Sequence, residues 1–274
     1  MIETRHILPV EPTLVDAAFG NRPDTWPLPA ATTPNQLWLR AVAAGGQGRY
    51  GSAYRDLAEV RRGGGIGRLV SLAYSTHGSF LRQLGWHALA RGWDGRALAL
   101  AGTDAEACAD ALVGLAADAL GIGRFAAAHT LLARADSVLQ SAPERLAVRR
   151  QWVGAELAMF TGDGPAAVGH ALEALALAEA MDVASVRHGV KSHVVLAAAL
   201  CSAGEIDRAR TVGDAALAAT GRLGLIPLRW ASACLLFDIG SVTIPGPKLA
   251  EIRDICAGQV RRAGGRWRSD HNGL

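Results

Sequence analysis

Apolar residues recur at spacings of three and four along nearly all of the chain after Gln36, which is the period of an amphipathic helix. No stretch shows the alternation of apolar and polar residues that is typical of a strand. Glycine, proline or a capping residue interrupts the pattern between helices. The short loops predict paired helices, and the predicted helices are Leu37–Ala44, Ala53–Val60, Leu69–Leu89, Ala105–Leu120, Ala126–Leu139, Leu146–Phe160, Ala166–Met181, Val190–Cys201, Ile206–Ala219, Leu228–Ile239 and Leu249–Val260.

The first 34 residues have a different pattern and contain six of the eleven prolines. Proline at this density excludes a long helix and predicts an extended, proline-rich N-terminal arm over residues 1–34. One short helix is expected around Thr13 to Phe19. The alternative is a partly disordered terminus, and the apolar residues that could anchor the arm on a helical body are Ile7, Leu14, Phe19 and Trp26.

A small residue recurs at fixed distances from the predicted turns. Alanine follows a turn glycine after five residues in the pairs Gly48/Ala53, Gly92/Ala97, Gly123/Ala128, Gly162/Ala167 and Gly204/Ala209. Seven residues before these glycines stand Ala41, Gly85, Ala116, Ala155 and Ala197, and Ala233 precedes a sixth turn at Gly240 by the same interval. Ten residues before three of the six turns stands a tryptophan, namely Trp38, Trp152 and Trp230.

These spacings resemble the tetratricopeptide repeat, a helix–turn–helix unit of about 34 residues. The best local matches are the runs that begin at Gly123 and Gly204. The resemblance implies an all-α fold of five or six stacked helical hairpins in a right-handed superhelical array over residues 35–263, with a final helix near 247–263 as its cap. Predicted turn-to-turn spacings of 44, 31, 39, 42 and 36 residues depart from a uniform repeat. An irregular all-α bundle is therefore the alternative.

The resemblance also implies that the first helix of each hairpin lines a concave face where partners bind. Tryptophan and arginine carry much of the binding energy at protein interfaces. The alternative for the tryptophans is packing between repeats or under the arm, and a buried Glu156 could form a structural ion pair. The candidate partner-binding residues are Trp38, Arg82, Trp86, Arg149, Trp152, Glu156, Lys191 and Trp230.

Motifs for catalysis or metal binding are not found in the sequence. The glycines of RRGGGIGRLV, residues 61–70, follow a helix rather than a strand, so a flexible loop is predicted instead of a phosphate-binding turn. The histidines do not form the H-E-x-x-H pattern of a zinc site. We therefore predict a protein that is not an enzyme, with no catalytic residue, no metal and no cofactor.

The composition of the chain bears mainly on the classes of partner that the protein could bind. Charged residues make up 19% of the chain and the net charge is +3, a positive charge too weak to favour nucleic acid as a partner. The segment 264–274, with arginines around Trp267, is predicted to be a basic flexible tail rather than a nucleic-acid contact. The longest apolar run, Val194 to Cys201, is too short to span a membrane, so no membrane association is expected.

Four scattered cysteines without a C-x-x-C pair predict free thiols. Together with a start that lacks the apolar run of a secretory signal, they predict a cytoplasmic protein. The predicted function is a non-enzymatic scaffold or regulatory adaptor that holds a protein or peptide on its concave face. The alternative is a sensor that binds a small molecule or peptide in the tryptophan-lined groove. Self-association, and occupation of the groove by the arm itself, are further alternatives.

Overall fold

The computed structural model describes residues 10–268, and this part of the chain forms thirteen α-helices and no strand. The predicted all-α fold of helical hairpins is confirmed. The helices are α1 (Val10–Phe19), α2 (Pro34–Gly46), α3 (Tyr50–Arg62), α4 (Arg68–Gln83), α5 (His87–Leu100), α6 (Ala105–Gly121), α7 (Phe125–Leu139), α8 (Arg145–Phe160), α9 (Gly164–Ala180), α10 (Val186–Ser202), α11 (Ile206–Arg222), α12 (Ile226–Ile239) and α13 (Gly246–Arg262).

From α2 onward, consecutive helices pack as six hairpins, α2/α3 through α12/α13. The first helix of each hairpin also contacts the first helix of the next, so α2, α4, α6, α8, α10 and α12 form one continuous layer. These six are called the inner helices below, and their hairpin partners are called the outer helices. The predicted helix Leu69–Leu89 runs past the end of α4 at Gln83 and into the start of α5, so its C-terminal bound is wrong; neither a proline nor a side-chain cap marks the break.

The structure corrects the position of the second turn. Gly85 has a φ of +89°, a left-handed conformation that glycine adopts at little cost, whereas Gly92 lies inside α5. The prediction of a turn at Gly92 is therefore wrong. With Gly85 in its place, the separations between successive turns become 37, 38, 39, 42 and 36 residues, and the turns are Gly48, Gly85, Gly123, Gly162, Gly204 and Gly240.

The corrected frame explains the small residues of the sequence. The residue seven before the second turn is now Gly78, and the alanine five after it is Ala90. Alanines at these two positions are almost completely shielded from solvent in the other hairpins. A larger side chain there would push the paired helices apart. These alanines are Ala41, Ala116, Ala155, Ala197 and Ala233 before the turns, and Ala53, Ala128, Ala167 and Ala209 after them.

The predicted arm forms the expected short helix, and it packs into the same core as the first hairpin. Leu14 is completely buried, and Phe19 lies against Trp38 with a distance of 5.5 Å between ring centroids. Trp26 remains half exposed under the guanidinium of Arg49. Ile7 lies outside the described residues. The arm is therefore joined to the repeat domain through a shared core.

The helix α2 begins where the arm ends because its first turn is capped twice. The Thr33 hydroxyl accepts a hydrogen bond from the Gln36 backbone N–H, and the Gln36 side chain accepts one from the Thr33 N–H. Pro34, with its fixed φ, occupies the first helical position. This capping box satisfies N–H groups that a helix start otherwise leaves unpaired.

The first and last hairpins meet end to end. Ile226 at the start of α12 and Val260 near the end of α13 both lie against the turn at Gly48. The Gly51 N–H donates a 2.7 Å hydrogen bond to the Ala263 carbonyl. The six hairpins therefore complete one turn of a spiral, in which the last hairpin contacts the first.

Residues 264–268 form part of this junction, so the prediction of a flexible tail is wrong for them. Trp267 lies 4.2 Å from Trp230 between ring centroids, and its indole N–H donates to the Ala257 carbonyl. The Arg268 N–H donates to the Leu84 carbonyl at 2.8 Å. Apolar burial and backbone hydrogen bonds fix this segment despite its arginines. The remainder of the predicted tail lies outside the described residues.

The structure of residues 10–268 also shows the state of the cysteines and the character of the helices. The four cysteines are unpaired; Cys256 is buried and the other three are partly exposed. Within the same range, no helix has the length and apolar character needed to cross a membrane.

The two glycines of the second hairpin distinguish the predicted from the observed turn. We expect Gly85→Ala to lower the free energy of unfolding by about 1–2 kcal/mol, because alanine is strained at this positive φ. Gly92→Ala should raise it by up to about 1 kcal/mol, since Gly92 is exposed in mid-helix and a Cβ there meets no atom within 4 Å. Urea denaturation of both variants tests this, and the opposite order of stabilities would restore the turn to Gly92.

Candidate functional site

The six inner helices and the end of α1 surround one central cavity of about 480 Å³. Every inner helix contributes lining residues, whereas the outer helices contribute almost none; His87, the first residue of α5, is the exception in the described structure. The end-to-end contact between the first and last hairpins is what turns the concave face of the array into this cavity. Seven of the eight candidate residues lie on its wall: Trp38, Arg82, Arg149, Trp152, Glu156, Lys191 and Trp230.

The two ends of the central cavity differ. At the end nearest the N-termini of α8 and α10, the Phe19 ring lies beside the Arg145 and Arg187 guanidinium groups. Arg187 also donates a 3.1 Å hydrogen bond across to the Val42 carbonyl on α2. At the other end, the lining residues Gln83 and Phe160 are exposed to solvent. The cavity therefore has a covered end and an open end.

Two of the predicted tryptophan platforms are instead packed into the wall. Trp38 and Trp152 are only 4% and 5% exposed. The Trp38 indole N–H donates to the Thr76 hydroxyl on α4 at 3.0 Å, and the Trp152 N–H donates to the Ser192 hydroxyl on α10 at 2.9 Å. Each tryptophan thus joins two neighbouring inner helices. Both side chains therefore pack between repeats, and Trp38 also lies under the arm; a role of either in partner binding stays a prediction.

Trp86 does not line the cavity, which follows from the misplaced turn at Gly92. It stands directly before α5 and donates its indole N–H to the Arg266 carbonyl at 2.7 Å. Its contact is therefore with the C-terminal segment. Trp230 does reach the cavity wall, and it is partly covered by Trp267.

Arg82 belongs to a buried charge cluster with Asp94 of α5 and Asp118 of α6. Its guanidinium pairs with both carboxylates, the one on Asp118 at 3.0 Å. Asp94 reaches this position because Gly78 and Gly114 leave room for it; a Cβ at either glycine would lie within 2.7 Å of its carboxylate. Burial raises the pKa of Asp94 well above its usual range, against the attraction of Arg82, and the charge of Asp118 raises it further. Burial and the neighbouring carboxylate therefore both oppose the ionisation of Asp94, and Arg82 favours it.

Arg149 and Arg145 on α8 also have carboxylate partners from α6. Arg149 pairs with Asp110, which in addition accepts a hydrogen bond from the Ser75 hydroxyl on α4. Arg145 pairs with Glu106, a partner that it shares with Arg68. Burial lowers the pKa of Arg149 to about 10, and the positive charge of Arg82 adds to the effect. These ion pairs tie α4, α6 and α8 together along the wall.

Arg187, Lys191 and Glu156 differ from these groups because no described residue forms an ion pair with them. The Lys191 ammonium lies 4.4 Å from the centre of the Trp152 ring. Burial lowers the pKa of Lys191 to about 8; Glu156 opposes this shift, while Arg149, Arg82 and Arg187 reinforce it. Burial raises the pKa of Glu156. These three side chains therefore have no partner at ion-pair distance among the described residues, and Glu156 is the acid whose charge acts most on Lys191.

His188 lies among the same cations and stacks on Trp152 with 5.3 Å between ring centroids. Burial lowers its pKa well below the usual range, and the charges of Arg187, Arg145, Arg149 and Lys191 lower it further. The ring is therefore neutral at neutral pH. Its Nδ1 lies 2.7 Å from the Ser185 hydroxyl, which can donate to it.

Two of the five cationic residues on the wall, Arg145 and Arg187, are not among the residues predicted from the sequence. Each stands four residues before a candidate, Arg149 and Lys191 respectively, and therefore lies on the same helix face. Helical periodicity could have found them. Comparison of the sequence with protein-family models and with curated proteins found no match, so the interpretation of the site depends on its residues.

Removal of Arg82 tests the buried charge cluster. We expect Arg82→Met to lower the free energy of unfolding at pH 7 by about 3–5 kcal/mol, since it leaves Asp94 and Asp118 buried without a cation. Burial already holds the folded-state pKa of Asp94 above its unfolded value, and the loss of Arg82 raises it further. The stability lost at pH 7 is therefore partly regained at pH 5, where protons replace the missing charge.

Chemical denaturation at the two pH values measures this difference. Arg222→Met is the matched control, because Arg222 is exposed at the end of α11. An Arg82 variant as stable as this control at pH 7 would contradict the assignment.

Proposed function

We propose that this protein is a non-enzymatic sensor that binds a small molecule or a short peptide in the central cavity. The observation that carries the proposal is the cavity itself, since a volume of about 480 Å³ lies within the range of ligand pockets, about 300–1,000 Å³. Its wall combines apolar side chains with a few charged groups, which is also typical of such pockets. The resemblance to tetratricopeptide repeats supports the proposal, because that family binds partners on the layer formed by its first helices.

The contact between the first and last hairpins limits the size of the partner that a scaffold could bind on its inner helices. An open array offers a long groove for a partner protein, whereas here Ile226 and Val260 lie against the turn at Gly48. A partner on the inner helices is then limited to what the enclosed volume admits. An adaptor role on the inner layer is consequently restricted to a short chain segment, and we favour the sensor.

A ligand in this cavity would contact parts of the chain that are distant in sequence. Phe19 of the arm, Val42 of α2 and Leu228 of α12 all face the same space. A bound molecule would therefore stabilise the contact between the two ends of the array, together with the position of α1. We propose that this coupling converts ligand binding into a change that a downstream partner detects.

A ligand screen on the wild type and on a variant with a blocked cavity tests the proposed function. The wild-type protein is screened by thermal shift against a library of small acids, amines, neutral molecules and tripeptides. A ligand present at one hundred times its Kd stabilises a protein by about 2.7 kcal/mol, which corresponds to a rise in Tm of several degrees for a chain of this size. We expect Ala198→Phe, which places a large ring on the wall, to abolish the shifts.

The control is Ala127→Phe, which introduces the same ring on an exposed position of the outer helix α7. It should retain every shift of the wild type. Ligands that stabilise both variants equally would place their site outside the cavity. A complete lack of shifts across the library would count against the sensor.

A further inference from the structure

Arg187 and Lys191 are the two cations of the central cavity that have no carboxylate bound to them within residues 10–268. Arg82, Arg145 and Arg149 each form an ion pair with an acid of a neighbouring helix. Arg187 uses one N–H on the Val42 carbonyl, and Lys191 makes no hydrogen bond within the described chain. Because they stand four residues apart on α10, both side chains lie on one helix face and point into one region of the cavity.

The charge of the wall is unbalanced in the same region. The described lining carries five cations, but only two carboxylates, Asp110 and Glu156. Asp110 already accepts hydrogen bonds from Arg149 and Ser75. Burial, helped by the charge of Arg145, lowers the pKa of Arg187 to about 10. Burial also lowers the pKa of Lys191 to about 8; Glu156 opposes this shift, and the charges of Arg149, Arg82 and Arg187 add to it. An anion bound between these two side chains would relieve the repulsion.

The wall next to these cations is apolar. Val194 and Ala198 follow Lys191 along the same face of α10, towards the open end of the cavity. Val113 and Ala117 of α6 line the same space. The central cavity therefore has its two unpaired cations near the covered end, and beyond them apolar side chains that share the wall with Glu156 and Arg82. A ligand that matches the unpaired cations and the apolar side chains has an anionic head and an uncharged body.

We propose that the central cavity binds a small organic carboxylate with an apolar body. The carboxylate accepts hydrogen bonds from the Arg187 guanidinium and the Lys191 ammonium, and the body lies against Val194, Ala198 and the α6 side chains. The proposal depends on the proposed function and names the ligand class of that site. The same chemistry occurs in a free acid and at the end of a short apolar peptide, and the test separates these sources.

Isothermal titration at pH 7 with octanoate as the probe tests the ligand class. Octanamide and octylamine have the same chain with a neutral or a cationic head, and N-acetyl-leucyl-leucine represents the peptide source. We expect octanoate to bind at least tenfold more tightly than octanamide, and octylamine not to bind. The peptide and its C-terminal amide should differ in the same direction if the peptide enters the site, and the tighter of octanoate and peptide identifies the source.

Two variants connect the affinity to the assigned residues. Arg187→Gln and Lys191→Met should each weaken octanoate binding about ten- to hundredfold, which is the loss expected for a charged hydrogen bond. Arg222→Gln, on the exposed end of α11, should bind octanoate like the wild type. If Arg187→Gln fails to fold because Val42 loses its donor, Lys191→Met decides the question.

The outcomes separate this proposal from the proposed function. Octanamide that binds as tightly as octanoate, with a site blocked by Ala198→Phe, would overturn the carboxylate class and keep the sensor. Unchanged octanoate affinity in Lys191→Met would overturn the assignment to Lys191. Failure of every probe, whatever its charge, would count against both proposals.

Octanoate affinity should also depend on pH through Lys191. The groups that face its ammonium are Glu156 and Arg149 of α8, Arg82 of α4 and Arg187 of α10. The pKa of Lys191 is about 8 in the free protein, and a bound carboxylate raises it. Affinity is therefore highest from about pH 6 to pH 7, where the probe is a carboxylate and Lys191 is protonated, and it falls about tenfold as the pH rises to 9.5, because the free protein loses the proton that the complex retains. Lys191→Met should remove this dependence, and a dependence that persists in it would contradict the assignment.

Discussion

The close approach of the two helices in each hairpin is the contact on which the rest of the structure depends. Alanine or glycine stands seven residues before every inner–outer turn, and the five alanines among them, Ala41 to Ala233, are fully buried. Because these residues are small, the two helix axes can approach closely. The larger side chains of the inner helices then pack against the neighbouring inner helices or face the central cavity. In the second hairpin, Gly78 has a further use, since it leaves room for Asp94. Repetition of this contact six times builds a layer of inner helices with a common face.

Completion of one spiral turn then decides what this face can bind. The turn at Gly48 meets Ile226 and Val260, and residues 264–268 fill the junction with backbone hydrogen bonds and the Trp267 ring. An open array would expose a broad groove, whereas contact between its ends encloses a volume of about 480 Å³. The function proposed for this protein follows from that difference in size. The arm contributes to the same result, because Phe19 covers one end of the space.

Charge inside the cavity is arranged by the packing between hairpins. Buried ions are stable when they are paired, and α5 and α6 supply the carboxylates for Arg82, Arg145 and Arg149. The same helices supply none for Arg187 and Lys191 on α10. Retaining unpaired cations in a partly buried site costs stability, and their lowered pKa values reflect this cost. On the proposed function, a ligand that supplies the missing anion would recover that free energy on binding, and the site would prefer such a ligand.

Most of the helices, the hairpins and most of the inner face could be predicted from the sequence, because the period of an amphipathic helix and the placement of glycine are local properties of the chain. Local spacing failed at Gly92, since a glycine inside a helix and a glycine in a turn look alike until their φ angles are known. Burial and pairing were decided by tertiary structure alone. Trp38 donates a hydrogen bond to Thr76, and Trp152 donates one to Ser192, which lie 38 and 40 residues further along the chain. These long-range contacts bury two side chains that the sequence predicted to be open binding platforms. The ion pairs of the cavity cations depend in the same way on carboxylates of a neighbouring helix. The sequence pattern within one helix does not show which side chains a neighbouring helix places against it.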